Sequence, residues 1–337
     1  MGFRPPELHE IPTVETMIAG MNAKVAGLAV TKRHLAWIMR RFMVAAALDR
    51  PWRPSNVLII GPTGGGKTYA VRCLLDSIPV VWCEASATEY SDVGWTGRDL
   101  PEMYLGLTSA RQREIVDGKA ISAVEHRARA ERWGVVLLDE FDKLQYDYRA
   151  GLTNDRSTSK ALQAELLKLV EGTETEISQK DHILFRTHNV LHIAMGAFVG
   201  LSRVVARDLQ QDESEHLYMN VSLANLIHYG FRDELIGRFA TVLTLPVLDA
   251  GDHVRILSEQ ILPGYIEEAQ DDGITLEVTE NGLFTVANIA HGNAIGARAL
   301  GPVLDAKLRI PWSHAVAGDT IVLDGNDARL EHPQVAA

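Results

Sequence analysis

The stretch Gly61-Pro62-Thr63-Gly64-Gly65-Gly66-Lys67-Thr68 constrains this chain more than any other. It has the spacing G-x-x-x-x-G-K-T. It follows the unbroken apolar run Val57-Leu58-Ile59-Ile60, and it precedes Tyr69-Ala70-Val71-Arg72-Cys73-Leu74-Leu75. In that second run the apolar residues 70, 71, 74 and 75 repeat at helical spacing. Strand, glycine loop and helix are the setting a phosphate-binding loop requires, whereas a chance glycine-rich turn has no need of either flank. The glycines let backbone N–H groups turn inward around phosphate oxygens with no Cβ in the way. The helix N-terminus adds a dipole that favours an anion. Lys67 is placed to reach the β- and γ-phosphates, and the Thr68 hydroxyl to ligate Mg²⁺. The chain is therefore expected to bind a nucleoside triphosphate. The candidate nucleotide-contacting residues are Gly61, Pro62, Thr63, Gly64, Gly65, Gly66, Lys67, Thr68 and Tyr69.

Composition narrows the partners. The 337 residues suffice for two domains and a substantial core. Lys plus Arg number 33 against 44 for Asp plus Glu, a net charge of −11. Such a chain gains no general counterion-release affinity for nucleic acid. Its densest basic segment, Lys32-Arg33-His34 with Arg40-Arg41, reads as the polar face of a helix whose apolar side holds Leu35, Ile38 and Met39. The two cysteines, Cys73 and Cys83, fall in apolar settings and suit a reducing compartment. His188 and His192 lie four apart in a segment read as loop into strand, so no metal site is expected there. There is no signal-peptide apolar region at the N-terminus, and the longest nearly apolar stretch, Val190 to Leu201, is too short to span a bilayer. A cytoplasmic protein with no membrane partner is expected.

Along the chain, residues 1–23 read as a short leader and 24–48 as helix. Apolar runs follow at 57–60, 80–83, 135–138, 190–195 and 241–245, separated by helical patterns, the clearest at 160–171 and closed by Gly172. Strands that are apolar throughout and alternate with helices imply an α/β fold with a parallel sheet covered on both faces. The polar segment 146–159 reads as an exposed loop. Past Leu245 the pattern changes to helices near 251–262, 280–290 and 294–308, with strands near 274–278 and 320–323. The expected division is a leader (1–23), a large domain (24–245) and a small, mostly helical domain (246–337).

The second chemical constellation is Val135-Val136-Leu137-Leu138-Asp139-Glu140, an apolar strand ending in two carboxylates. Asp139 can lie near Mg²⁺, and Glu140 is placed to polarise an attacking water. Carboxylates at a strand end could instead cap the next helix. An upstream phosphate loop favours the catalytic reading.

These two motifs, with five further segments in the same order, resemble the AAA+ unfoldases of the ClpX and HslU branch. The further segments are Leu166-Leu167-Lys168-Leu169-Val170-Glu171-Gly172-Thr173, Gly196-Ala197-Phe198-Val199-Gly200-Leu201, Asn225-Leu226-Ile227-His228-Tyr229-Gly230-Phe231, Glu234-Leu235-Ile236-Gly237-Arg238 and Ile295-Gly296-Ala297-Arg298. The resemblance runs over residues 24 to 325. It implies a P-loop NTPase large domain followed by a small lid domain, ATP and Mg²⁺ as cofactors, a homohexameric ring, and protein clients. It implies that Arg238 is an arginine finger reaching a neighbouring subunit's γ-phosphate, and that Arg298 is the sensor-two arginine; on sequence alone either could be a surface salt bridge. Val25 and Ala26, in Val25-Ala26-Gly27-Leu28, match the adenine-contacting segment, with ordinary core packing an equal reading. Gly94-Trp95-Thr96-Gly97 occupies the place of the pore loop whose aromatic residue grips polypeptide, so Trp95 and Thr96 are candidate client contacts. A buried Trp finishing a turn is the alternative. Asp155 and Arg156 fall at the second pore loop.

The departures are informative too. There is no cysteine cluster for an N-terminal zinc-binding domain. The insertion that docks the ClpP peptidase is replaced between Leu201 and Asn225 by a short acidic segment, and the tripeptide Leu105-Gly106-Leu107 lies in the wrong place for it. The basic loop after Thr173 shrinks to the mixed-charge segment Glu174 to Asp181, and Met195 stands at the sensor-one position. The expected function is an ATP-dependent unfoldase or remodelling chaperone that threads polypeptide through a hexameric pore. It would not be a ClpP partner, and an unidentified protease or adaptor could serve instead. A nucleic-acid motor or loader and a nucleotide-gated assembly scaffold are the alternatives.

Overall fold

The computed structural model describes residues 8–50, 55–90, 98–108, 115–116, 119–120, 122–146, 154–178, 180–293 and 295–332, with the backbone alone at 115–116, 119–120, 154–158 and 215. The chain divides into two compact units. The first comprises residues 1–20, 29–62 and 70–246, and the second 21–28, 63–69 and 247–337.

The first unit is built on strands β1 (Val57–Ile60), β2 (Val81–Ser86), β5 (Gly134–Asp139), β8 (Leu191–Gly196) and β9 (Thr241–Thr244). They form one sheet in the order β2-β5-β8-β1-β9, every pair parallel. Successive side chains of a strand point to opposite faces. All of β1 and β8 is buried nonetheless, so both faces of the sheet are covered. One face carries Leu58, Ile60, Val136, Leu138 and Ala194 into a core with Phe141, Leu166, Phe231 and Phe239. The helices of this part of the chain are α1 (Val14–Asn22), α2 (Ala29–Ala47), α3 (Lys67–Asp76), α4 (Leu105–Thr108), α5 (Ala123–Trp133), α6 (Asn154–Glu171), α7 (Leu201–Leu209), α8 (Leu223–Tyr229) and α9 (Asp233–Ile236). Two small antiparallel pairs complete it: β3 (Ile115–Val116) with β4 (Lys119–Ala120), and β6 (Glu174–Ser178) with β7 (Ile183–Arg186).

The second unit holds α10 (Ala250–Ile256), a π-helical turn (Leu257–Ile261), α11 (Leu262–Asp271), α12 (Glu280–His291) and α13 (Leu300–His314). Strands β10 (Thr275–Val278), β11 (Thr320–Asp324) and β12 (Asp327–Glu331) form a three-stranded sheet, β10 parallel and β12 antiparallel to β11. Leu276, Val286, Leu300, Leu304, Ile321 and Leu323 make its core. Asp249 opens α10 through a capping box, its side chain accepting from the Asp252 backbone N–H at 2.8 Å.

Several sequence expectations need correction. The stretch read as a leader contains α1, which buries Met17 and Met21. The helix read over 24–48 begins only at Ala29, because Gly27 and Leu28 both have positive φ, which ends helical geometry. Residues 154–159, read as loop, belong to α6. Their polarity signals exposure, and a solvated helical turn satisfies its backbone as well as a loop does. Lys32, assigned to the polar face of α2, is buried. The segment 174–181, read only as mixed charge, forms most of a hairpin, since alternation with polar residues suits a partly solvated strand. The small unit carries a third strand, β12, in which exposed Asp327, Arg329 and Glu331 alternate with half-buried Ala328 and Leu330. Leu105-Gly106-Leu107 is helix, with Leu107 fully buried. The acidic stretch after Leu201 is largely α7 and a 3₁₀ turn, Glu215–Asn220. Cys73 and Cys83 are buried and form no disulfide, and burial pushes the Cys83 thiol up to about 12. Among the described residues no helix is long and apolar enough to cross a membrane.

Candidate active site

The glycine loop leaves β1 at Ile60 and enters α3 at Lys67, as the strand–loop–helix reading requires. Gly61 sits where a Cβ would come within 2.8 Å of the Leu245 Cβ, so glycine lets β1 end flush against the segment after β9. Gly64 and Gly66 have φ of +75° and +80°, a conformation that L side chains rarely adopt. Lys67 is buried, Thr68 half-buried, and Tyr69 exposed.

Within the second unit this loop packs on two other segments. A Cβ on Gly64 would collide with the Ile295 carbonyl and lie 3.3 Å from the Ala297 amide nitrogen; one on Gly296 would lie 3.1 Å from the Thr63 carbonyl oxygen. The turn Gly296–Ala299 that touches the loop is the one carrying Arg298, which is exposed. The other segment is Val25–Leu28: the Leu28 Cδ1 approaches to 3.8 Å of a Cβ position on Gly66. Leu28 has φ +54°, a left-handed strain for a bulky residue beside a candidate ligand loop. Val25 is buried and Ala26 half-buried.

Within the first unit the two carboxylates end β5. Ser86 of β2 pairs in register with Asp139, and Leu138 pairs with Ala194 of β8, one residue before Met195. Met195 in turn pairs with Ile59 of β1, so one strand, β8, separates the loop strand from the carboxylate strand, roughly 10 Å across. Glu140 adopts φ +55°, a second left-handed non-glycine residue. Its backbone N–H donates to Asp139 Oδ1 at 2.8 Å. Its Oε2 accepts from the Ser86 hydroxyl at 2.7 Å and the Thr88 hydroxyl at 2.8 Å. These two donors, Ser86 first, hold the Glu140 carboxyl below the usual carboxylate range. The buried Asp142 accepts the Ala197 N–H at 3.3 Å, tying the turn after β5 to the end of β8; a Cβ on Gly196 would strike that carboxylate.

A carboxylate fixed by two hydroxyls is held in place to orient a water, at some cost in basicity. Replacing Ser86 and Thr88 together by Ala is expected to raise the Glu140 pKa. The acid limb of the rate–pH profile should then move to higher pH, with the plateau above it far less affected. A limb that stays in place in kcat against pH would show that the hydroxyls do not tune Glu140.

Arg238 follows α9. Its guanidinium pairs with the Glu171 carboxylate at the end of α6. Phe141, next to Glu140, and Phe239, next to Arg238, meet with ring centroids 5.2 Å apart, and Phe141 stacks on Phe231 at 5.0 Å. The Arg238 segment and the carboxylate turn therefore share one aromatic cluster. His192 is buried, with Nε2 2.8 Å from the Tyr104 hydroxyl, and burial pushes its pKa down to about 3. Among the described residues no group of three or more His, Cys, Asp or Glu could hold a metal ion. Trp95 and Thr96 lie outside the described residues; Asp155 and Arg156 lie in the first turns of α6. Ser86 and Thr88 were not among the expected residues, and Glu171 and Leu28 stood only within the family segments, without roles of their own. A Ser and a Thr just past an apolar strand were the available signal for the first two.

A parallel sheet with an inserted strand between a phosphate loop and an Asp-Glu strand end defines the P-loop NTPase class. Residues 53–242 match the family described as AAA domain (Cdc48 subfamily), and the chain belongs to the AAA family of ATPases. It is similar to the ATP-dependent Clp protease ATP-binding subunit ClpX of Azotobacter vinelandii, 31% identical over 76% of this chain and 61% of that one. ClpX 3 of Methylococcus capsulatus is 30% identical over 76% of this chain and 63% of its own. ClpX of Treponema denticola is 28% identical over 74% and 63%. The chain thus spans a little over three fifths of the length of these relatives.

Proposed function

We propose that this chain is a ClpX-like ATPase that couples ATP hydrolysis to unfolding or remodelling of protein, working as a homohexamer that threads polypeptide through a central pore. Residues 24–245 are its ATPase domain and 246–337 its lid. The observation that carries the reading is Glu140, ionised and clamped by Ser86 and Thr88 at the end of an AAA-family carboxylate strand. Such a base serves hydrolysis, and a scaffold that only senses nucleotide has no use for it.

The residues fit the nucleotide and its metal. Gly64 and Gly66 keep left-handed backbone open for phosphate oxygens, and Lys67 stands at the start of α3 where an anion is favoured. The Thr68 hydroxyl and the Asp139 carboxylate are hard oxygen donors of the kind Mg²⁺ takes. When bound, the metal neutralises charge on the β- and γ-phosphates. Glu140 orients and deprotonates the attacking water. Arg298, in the turn against the loop, senses the nucleotide, and Val25 and Ala26 contact the base. Arg238 of one subunit stabilises charge at its neighbour's γ-phosphate, so hydrolysis needs an assembly. Trp95 and Thr96 contact the client. The connection between Leu201 and Asn225 is filled by α7 and a 3₁₀ turn, which supports a partner other than ClpP.

The test is ATP hydrolysis with and without an unfolded protein, beside Trp95→Ala. Unfolded protein is expected to raise the wild-type rate severalfold, and Trp95→Ala to keep basal hydrolysis while losing most of that stimulation. Stimulation by DNA or RNA and none by polypeptide would overturn the reading in favour of a nucleic-acid motor.

A further inference from the structure

We infer that Glu171 is a positioning residue for Arg238, holding the finger's guanidinium in place for delivery to the neighbouring subunit. The inference rests on Arg238 acting in trans, as proposed above. Both members of the pair stand on anchored backbone. The Arg238 carbonyl accepts from the Asn56 side-chain amide at 3.3 Å, and its N–H donates to the Leu235 carbonyl at 3.0 Å. Asn56 is itself buried and accepts the His192 N–H at 2.9 Å, so the backbone of the finger is rooted in the central sheet. The next residue, Phe239, is 1% exposed in the aromatic cluster. The Arg238 side chain reaches the surface.

The other post is equally fixed. Glu171 is the last residue of α6, and Gly172 follows with φ +97°. A Cβ at Gly172 would lie 2.9 Å from the His188 backbone, so the chain has no freedom to turn otherwise. Thr187 caps the helix end, its hydroxyl donating to the Leu169 carbonyl at 2.7 Å and accepting the Thr173 N–H at 3.0 Å. A carboxylate in the last turn of a helix opposes the macrodipole. Glu171 is therefore placed against local preference, and the guanidinium it meets is the compensation. Both side chains remain about two-fifths exposed, 44% for Arg238 and 37% for Glu171. An exposed pair of this kind contributes little to folding and exchanges readily. It restricts the guanidinium to one region of the surface, and the stronger, bidentate attraction of a phosphate can draw it away.

Mixed assemblies test this. Glu140→Gln subunits keep the finger and lack the base; Arg238→Ala subunits keep the base and lack the finger. Mixing the two is expected to restore hydrolysis that neither shows alone. If it does not, Arg238 does not serve a neighbour's site, and the underlying reading fails before Glu171 is reached. Given recovery, adding Glu171→Ala to the Glu140→Gln subunit is expected to lower the recovered rate about tenfold, less than the ~10²-fold that a 1 Å misplacement can cost, because the finger keeps its backbone anchors. The same change on the Arg238→Ala subunit has no finger to act on and leaves the recovered rate as it was. Glu171→Asp should regain part of the loss, and Glu171→Gln serves if Glu171→Ala melts early. Equal losses whichever subunit carries the change, or no loss in either, would overturn the inference.

Discussion

Replacing Glu140 by Gln is expected to reduce ATP turnover by a factor on the order of 10² to 10⁴, the usual contribution of a positioned general base, while nucleotide binding survives. The substitution is nearly isosteric. The Ser86 and Thr88 hydroxyls that now donate to the Glu140 carboxylate can still donate to an amide oxygen, so the local geometry is retained. What is lost is the negative charge that, in the proposed role, draws a proton from water. The left-handed backbone at Glu140 tolerates Gln no worse than Glu, so the fold should keep its stability. The variant should therefore bind a fluorescent ATP analogue with an affinity within a few-fold of wild type and hydrolyse almost none. A variant that binds normally and retains a tenth or more of the wild-type rate would move the base elsewhere.

Gly64→Ala should have the next largest effect, through a different cause and on nucleotide affinity. The native φ of +75° is unfavourable for Ala, and the added methyl would collide with the Ile295 carbonyl. The loop or the turn that carries Arg298 must then shift. Strain of this type is worth about 1–3 kcal/mol, or roughly 5- to 150-fold in an equilibrium. We expect ATP affinity to fall by about that factor, read by titration with the same analogue. Gly200→Ala is the matched control. Its φ of +85° is equally left-handed, but nothing lies within 4 Å of the new methyl. It should cost stability of about 1 kcal/mol and leave nucleotide affinity intact. If both variants bind ATP like wild type, the tight packing at Gly64 is irrelevant to the ligand.

The parallel α/β sheet was legible because β1, β5 and β8 are apolar at nearly every position, a pattern that only two-sided burial explains. The loop and the Asp139-Glu140 pair were legible because their chemistry depends on residue type at fixed spacing. The hairpin of β6 and β7 was not, since its partly exposed strands alternate with charged residues and read as loop. Helix α6 was read six residues short for a related reason: its first turns are polar, and polarity reports solvent contact, not conformation. Ser86, Thr88 and the pairing of Glu171 escaped notice because each has its partner distant in sequence. Ser86 is 54 residues from Glu140, and Glu171 is 67 from Arg238. Only the sheet register and the anchored backbone bring them together. Lys32 was misplaced because a basic residue next to Arg33 and His34 looks solvated, whereas the rotation of α2 puts it beside Leu35 and Met39 on the buried side.

Mechanical work on protein is the proposed output of hydrolysis. It is tested most directly with a folded fluorescent protein fused to whichever unfolded segment raises the hydrolysis rate. The fluorescence of the fusion is expected to decay in the presence of wild-type protein and ATP, and to persist with Glu140→Gln or Trp95→Ala under the same conditions. Fluorescence that persists with the wild type, while the fusion still stimulates hydrolysis, would contradict the proposed output.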